Sequence, residues 1–218
     1  MPSEGALRDG NTAGFGLIET LRWEPRSGFL RLDRHSARLA ASAAELGFAY
    51  RGAELAESLA MVTGETPLRV RIELASDGQI DIAAQPFTPL APETVWTLGI
   101  ANTRLFSGDA LLRHKTTRRA AYDAARAEYP RDTADEVAML NERGELCEGT
   151  ITSLFAERTD GMLVTPPLSC GLLAGVLRAE LLDTGTAVEA TLRPADLAHA
   201  QRIWCGNSLR GLIPCRLA

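Results

Sequence analysis

Leu68-Arg69-Val70-Arg71-Ile72-Glu73-Leu74 alternates apolar and charged positions without a break. A period of two puts the apolar side chains on one face of an extended chain, so this segment reads as a half-buried β-strand. Asp77-Gly78 is a tight-turn pair, and residues 79–83 read as the returning strand of a hairpin. A second hairpin is read nearer the start. Residues 15–23 (Phe-Gly-Leu-Ile-Glu-Thr-Leu-Arg-Trp) form its first strand, Arg26-Ser27-Gly28 its turn, and Phe29–Leu32 its return. The period then changes. Asp33 is positioned to cap a helix running to about Leu46, with Leu39, Ala43 and Leu46 on one face and Gly47 as its stop. A second helix is expected around residues 52–62.

Pro86, Pro89 and Pro92 fall close together. Proline cannot continue a ladder and stiffens a connection, so a boundary is placed there. This divides the chain into a small N-terminal α/β domain (1–86) and a larger C-terminal domain (87–218) that carries the sole lysine, Lys115. Beyond the boundary the pattern predicts a strand near 94–101 and a helix over about 116–128. Strands follow at 136–140, 146–156 and 162–165, then a helix from about 175 to 185. A strand at 187–192, a short helix from Pro194, and strands at 202–206 and 211–217 close the chain. No internal repeat is visible. The fold class is α+β (or α/β), with mostly antiparallel sheets in two unequal lobes.

Composition narrows the function classes. Hydrophobic residues make up 45% and charged residues 23%, the proportions of an ordered globular chain rather than a disordered or low-complexity one. The formal net charge of −5 offers no basic surplus for nucleic acid or an anionic membrane. The apolar stretches are short, and charges such as Arg178 and Glu180 interrupt them, so no membrane span is expected. Met1-Pro2-Ser3-Glu4 has neither a basic region nor an apolar one, so no export signal is read and the cytoplasm is the expected location. Cysteines at 147, 170, 205 and 215 lack C-x-x-C spacing, and the histidines at 35, 114 and 199 do not cluster with them. They read as small buried hydrophobes, with no zinc site. Asp9, Asp33 and Asp109 are isolated and suggest no other metal.

The common phosphate and acyl-transfer motifs are incomplete. Gly14-Phe15-Gly16 lacks the third glycine of a dinucleotide loop, and no P-loop is present. Gly206-Asn207-Ser208-Leu209-Arg210 has arginine where a nucleophile elbow needs glycine. One feature stands apart: of 23 basic residues only Lys115 is lysine. Arginine supplies charge but does not give up its proton to become a nucleophile, whereas lysine can. A drift toward arginine codons would also leave few lysines. Against that stands the setting of Lys115. It lies in a short polar segment, His114-Lys115-Thr116-Thr117, flanked by Arg113, Arg118 and Arg119, just before an expected helix. Catalytic groups are commonly displayed on such segments.

Four segments resemble the fold-type IV pyridoxal-phosphate enzymes, the class IV aminotransferases. They are Gly16-Leu-Ile-Glu-Thr-Leu-Arg22; His35-Ser-Ala-Arg-Leu39 with Ser42-Ala43; His114-Lys115-Thr-Thr-Arg-Arg119; and Asn141–Thr150 with Thr165-Pro-Pro167 and Gly171–Arg178. Their order along most of the chain is that of the family. The closing Gly206-Asn-Ser-Leu-Arg-Gly211 and the Lys-Thr-Thr-Arg-Arg run look most like the aminodeoxychorismate lyase branch.

The resemblance implies a role for each matching residue. Lys115 matches the lysine that carries pyridoxal 5'-phosphate covalently and then acts as the acid and base at the substrate carbon. Arg38 matches the arginine that grips the cofactor phosphate, a task suited to a planar, permanently charged fork. Glu148 matches the carboxylate on the pyridine nitrogen, which keeps the ring protonated and electron-accepting. Val176 and Leu177 match the helix start whose N–H groups cradle the phosphate. Ser208 matches a small or hydroxyl residue against the phosphate. Arg69 and Arg210 are weaker candidates for substrate carboxylate. Each also has a plain structural reading: a solvated helix face for Arg38, a turn carboxylate for Glu148, a turn cap for Ser208, an outward strand position for Arg69. Leu177 stands where the family usually has threonine, and Ser153 where it usually has asparagine.

The implied function is conversion of 4-amino-4-deoxychorismate to 4-aminobenzoate and pyruvate, in the folate pathway. The alternatives are an aminotransferase of branched-chain or D-amino acid type and a non-catalytic binding relative. The resemblance further implies a homodimer, a small amino substrate and cooperation with aminodeoxychorismate synthase.

Overall fold

The alternation at Leu68–Leu74 forms the strand it predicts. In the computed structural model, which describes residues 14–218, this strand (β3, Leu68–Leu74) lies between β1 (Leu17–Glu24) and β4 (Ile80–Pro86). The short β2 (Gly28–Phe29) borders β1 on its other side. All three pairings are antiparallel. The row Leu68, Val70, Ile72 and Leu74 is buried. The reading of residues 1–4 as lacking an export signal, and of Asp9 as isolated, falls outside the described residues.

Helix α1 (Leu32–Leu46) packs on β1 and buries Leu39 and Ala43. It ends at Gly47, whose φ of 73° is left-handed and whose N–H donates to the Ala43 carbonyl. Only glycine adopts that conformation without strain, so the expected stop is physically apt. The start differs from expectation. The returning strand is only two residues long: the Leu30 N–H still bonds the Arg22 carbonyl, and the chain then turns away. Helix α1 then begins after a left-handed Arg31, and Asp33 sits in the first turn rather than at the cap. Helix α2 (Gly52–Ala60) buries Leu55 and Leu59.

The chain separates into two compact units. One runs to Thr88 and also takes in Lys115–Arg118; the other comprises Pro89–His114 and Arg119–Ala218. The sequence pattern grouped Lys115 with the C-terminal part. Backbone hydrogen bonds group it with the first unit instead: the Ile18 N–H donates to the Lys115 carbonyl (2.8 Å) and the Thr117 N–H to the Gly16 carbonyl (2.9 Å). Leu17 and Thr116 form an antiparallel bridge between them.

The second unit holds one eight-stranded sheet and three α-helices: β5 (Trp96–Leu105), α3 (Ala120–Ala127), β6 (Glu136–Asn141), β7 (Leu146–Gly149), β8 (Ser153–Glu157), β9 (Leu163–Thr165), α4 (Val176–Asp183), β10 (Ala187–Glu189), α5 (Pro194–His199), β11 (Arg202–Asn207) and β12 (Gly211–Leu217). The strand order is β10-β9-β8-β11-β12-β5-β6-β7. Pairings β10–β9, β12–β5 and β5–β6 are parallel and the rest antiparallel. The sheet curls until its two edges meet, for the Leu146 N–H at the start of β7 donates to the Leu192 carbonyl just beyond β10 (2.7 Å). Trp96, Leu98, Leu140, Leu154, Ile203 and Ile213 belong to one core cluster of this unit. All four cysteines are buried and form no disulfide.

The single strand expected over 146–156 is broken into β7 and β8. The cause is Glu136, a fully buried carboxylate. It accepts the Thr150 N–H (2.9 Å), the Thr150 hydroxyl (2.6 Å), the Ile151 N–H (3.2 Å) and the Thr152 hydroxyl (2.8 Å). A buried charge needs that many donors, and supplying them folds residues 150–152 into a turn.

Candidate active site

In the first unit, β1 carries the central buried carboxylate. Its alternation points Leu17, Glu19 and Leu21 to the covered face, where all three are buried. Glu19 accepts from Arg38 through Nε (2.8 Å, Oε1) and Nη2 (2.6 Å, Oε2), a bidentate pair, and lies 2.6 Å from His35 Nδ1. Burial alone would raise the Glu19 pKa. The Arg38 guanidinium and the His35 hydrogen bond outweigh it and hold the carboxyl at about 2. Arg38 is thus locked along one edge of its fork. The adjacent residue of the same strand, Ile18, donates to the Lys115 carbonyl, and Gly16 donates its N–H to Thr117 Oγ1 (2.9 Å). One strand therefore fixes both the arginine and the backbone of the half-buried lysine. Arg118 lies 5.0 Å over the Phe15 ring. Arg69 is exposed on β3, opposite Arg22 of β1 and Gln85 of β4.

In the second unit, Glu148 is buried at the end of β7. Its Oε1 accepts the Tyr122 hydroxyl (2.7 Å) and the Leu173 N–H (3.0 Å). The Arg119 guanidinium lies 4.9 Å over the Tyr122 ring, and its Nη2 donates to the Thr150 carbonyl (2.6 Å). Burial and the Glu148 anion push the Tyr122 phenol far above its ordinary pKa, so it stays a donor. Burial likewise pushes up the neighbouring Cys147 thiol.

Val176 and Leu177 open α4 behind Gly175, and no side chain caps that end. The first N–H groups of a helix have no intrahelical acceptor and carry the positive end of its dipole. Ser208 is buried in the turn between β11 and β12. The same turn is tied by Arg210 N–H to Asn207 Oδ1 (2.9 Å) and by Asn207 Nδ2 to the Ile151 carbonyl (3.2 Å). A Cβ on Gly206 would stand 2.9 Å from Leu177 Cδ2. Glycine there makes room for the leucine, which packs against β11. Arg210 lies 5.9 Å over the Trp96 ring.

Each unit, taken by itself, offers chemistry that suits pyridoxal phosphate. The first has a locked guanidinium and the only lysine. The second has a helix start with no side-chain cap, a buried hydroxyl at Ser208, and a buried carboxylate with two donors on one oxygen. Three contributors were given no role from the sequence: Glu19, Glu136 and Tyr122. Glu19 had a usable signal, since the period of two puts a carboxylate on a buried row, where it needs a cation. Tyr122 and Glu136 act through partners 26 and 14–16 positions away, beyond any local pattern.

The chain belongs to the class IV aminotransferase family: the family model for amino-transferase class IV matches residues 16–218. Members of that family and its fold-type IV relatives depend on pyridoxal phosphate, and the chain is an enzyme of this class, lyase or aminotransferase. The solved structure of a "Putative amino-acid aminotransferase" from Mesorhizobium loti is 55% identical, with a TM-score of 0.91 over 94% of this chain and 100% of that one. A 4-amino-4-deoxychorismate lyase structure from Pseudomonas aeruginosa is 27% identical, with a TM-score of 0.78 over 93% of this chain and 82% of that one. A Schizosaccharomyces pombe protein named "Putative aminodeoxychorismate lyase" is 28% identical over 82% of this chain and 80% of its own length.

Proposed function

We propose that this chain binds pyridoxal 5'-phosphate through Lys115 and acts as an aminodeoxychorismate lyase, forming 4-aminobenzoate and pyruvate. The observation that carries the reading is the placement of its only lysine. Lys115 is held by backbone pairing to β1, the strand whose next residue locks Arg38. When bound, the cofactor supplies an aldehyde that captures an amine and a ring that accepts electrons. The rest is the work of the chain. Arg38 in the first unit, and in the second the N–H groups of Val176 and Leu177 with Ser208, are the groups that would hold a phosphate. Glu148 would hold a proton on the ring nitrogen. The Lys115 amine would move protons at the substrate carbon. Arg69 and Arg210 are the cations proposed to receive substrate carboxylates.

Aminotransferase chemistry is the second reading, and the 55% identical Mesorhizobium loti structure supports it. The same residues serve both outcomes, so the difference lies in what leaves the substrate carbon. The lyase reading rests on the closing Gly206–Gly211 segment and the two lyase relatives. A homodimer, a cytoplasmic location and aminodeoxychorismate synthase as the upstream partner belong to the same proposal.

The test is spectroscopic. Protein loaded with pyridoxal phosphate is expected to show a visible band that borohydride fixes to the peptide containing Lys115, and Lys115→Ala is expected to lack it. A band of equal size in Lys115→Ala overturns the reading. With the band present, formation of 4-aminobenzoate from aminodeoxychorismate supports the lyase. Conversion of 2-oxoglutarate to glutamate at the expense of a donor amino acid replaces it with the aminotransferase.

A further inference from the structure

We propose that Tyr122 is a positioning residue that sets the direction and charge of the Glu148 carboxylate. This rests on the reading of Glu148 as the partner of the cofactor's ring nitrogen. The Tyr122 hydroxyl (2.7 Å) and the Leu173 N–H (3.0 Å) both donate to Glu148 Oε1. Two donors on one oxygen fix the plane of the carboxylate, and with it the direction in which the second oxygen faces. The donors come from α3 and from the loop before α4, so the carboxylate is braced from two sides.

Tyr122 is itself held. Arg119 lies over its ring at 4.9 Å and donates to the Thr150 carbonyl at 2.6 Å. That carbonyl belongs to the turn that Glu136 organises immediately after Glu148. A donor to a carboxylate favours its ionised form. Burial and the Glu148 anion keep the phenol protonated, so the donor persists across the working pH range. Such a residue touches neither substrate nor cofactor. It makes Glu148 a weaker base, which leaves the proton on a ring nitrogen facing it.

The experiment uses Tyr122→Phe, Glu148→Gln and the double variant, each titrated with pyridoxal phosphate. Phenylalanine keeps the ring beneath Arg119 and removes only the oxygen. In Tyr122→Phe the midpoint of the pH-dependent visible band is expected to move by about one pH unit, and cofactor affinity to fall about tenfold, the scale of a hydrogen bond to a charged group. In the Glu148→Gln background the same change is expected to add nothing, since the tyrosine acts through the carboxylate. Superimposable titrations for wild type and Tyr122→Phe overturn the proposal, as does an equal effect in the Glu148→Gln background. Absence of a borohydride-fixable band in the wild type overturns the parent reading, and this one with it.

Discussion

Glu19→Gln removes one charge from the contact of three side chains, Glu19, His35 and Arg38. Glu19 is buried, accepts twice from Arg38 and once from His35, and has its carboxyl held at about 2 against an ordinary 4.5. A carboxylate whose pKa is lower in the folded than in the unfolded chain contributes stability that is fully present above the unfolded value. That stability is lost as pH falls through the folded one. The window therefore runs from about pH 4.5 down to about pH 2. At about 1.4 kcal/mol per pH unit, the contribution at neutral pH is about 3 kcal/mol. The independent figure for breaking a buried ion pair, about 3–5 kcal/mol, agrees at its lower end. The lower end is apt, because the Arg38 side chain is 13% exposed and keeps some water. The assay is urea denaturation of both proteins from pH 7 to pH 2, without added cofactor. Trp23 reports the first unit in a background where Trp96 and Trp204, both in the second, are replaced by phenylalanine. The gap between wild type and Glu19→Gln is expected to be about 3 kcal/mol at pH 7, to narrow below pH 4.5, and to close near pH 2. Other acid-sensitive groups are common to both proteins and cancel. A gap that stays constant with pH, or no gap at pH 7, would refute the assignment of the stabilisation to the ionised carboxylate.

Two glycines give further tests, beyond those of Lys115 and Tyr122. A Cβ at Gly175 would meet Ser153 Oγ at 2.6 Å, so Gly175→Ala is expected to displace the start of α4. Cofactor affinity should fall at least about tenfold with a smaller change in melting temperature, read by titration and calorimetry. A Cβ at Gly149 would stand 2.4 Å from Thr152 Oγ1 and 2.8 Å from Glu136 Cδ. Because both belong to the buried network around Glu136, Gly149→Ala is expected to cost more than about 2 kcal/mol of stability in denaturant titrations. Wild-type stability in that variant would show that the network yields without cost.

The elements that were legible are those whose period is uninterrupted. β3 matches its alternation at both ends, and α1 stops at the glycine that the pattern named. Where a distant side chain competes for the backbone, local reading failed. Glu136 draws residues 150–152 out of what reads as one strand. The ladder at β2 ends early because the chain turns at the left-handed Arg31 into a helix. Of the expected site, the residue types and their order were legible through the family motifs. Their supports were less so: the period of two marks Glu19 as buried, but its pairing with Arg38, and Tyr122 behind Glu148, appear only when strands and helices pack.

The sequence by itself settled the segments with an uninterrupted period, such as β3 and the stop of α1, and that one lysine stands alone among arginines, because those properties depend on neighbours within a few positions. Tertiary structure decided which unit owns that lysine, since the bond from Gly16 to Thr117 spans 101 positions and no local period encodes it. It also decided the strand order, the parallel pairs β12–β5 and β5–β6 included, and the closure of the sheet at Leu146 and Leu192. Apart from proline, backbone groups are the same in every residue. Which of them pair is therefore settled by the burial of side chains from the whole chain at once.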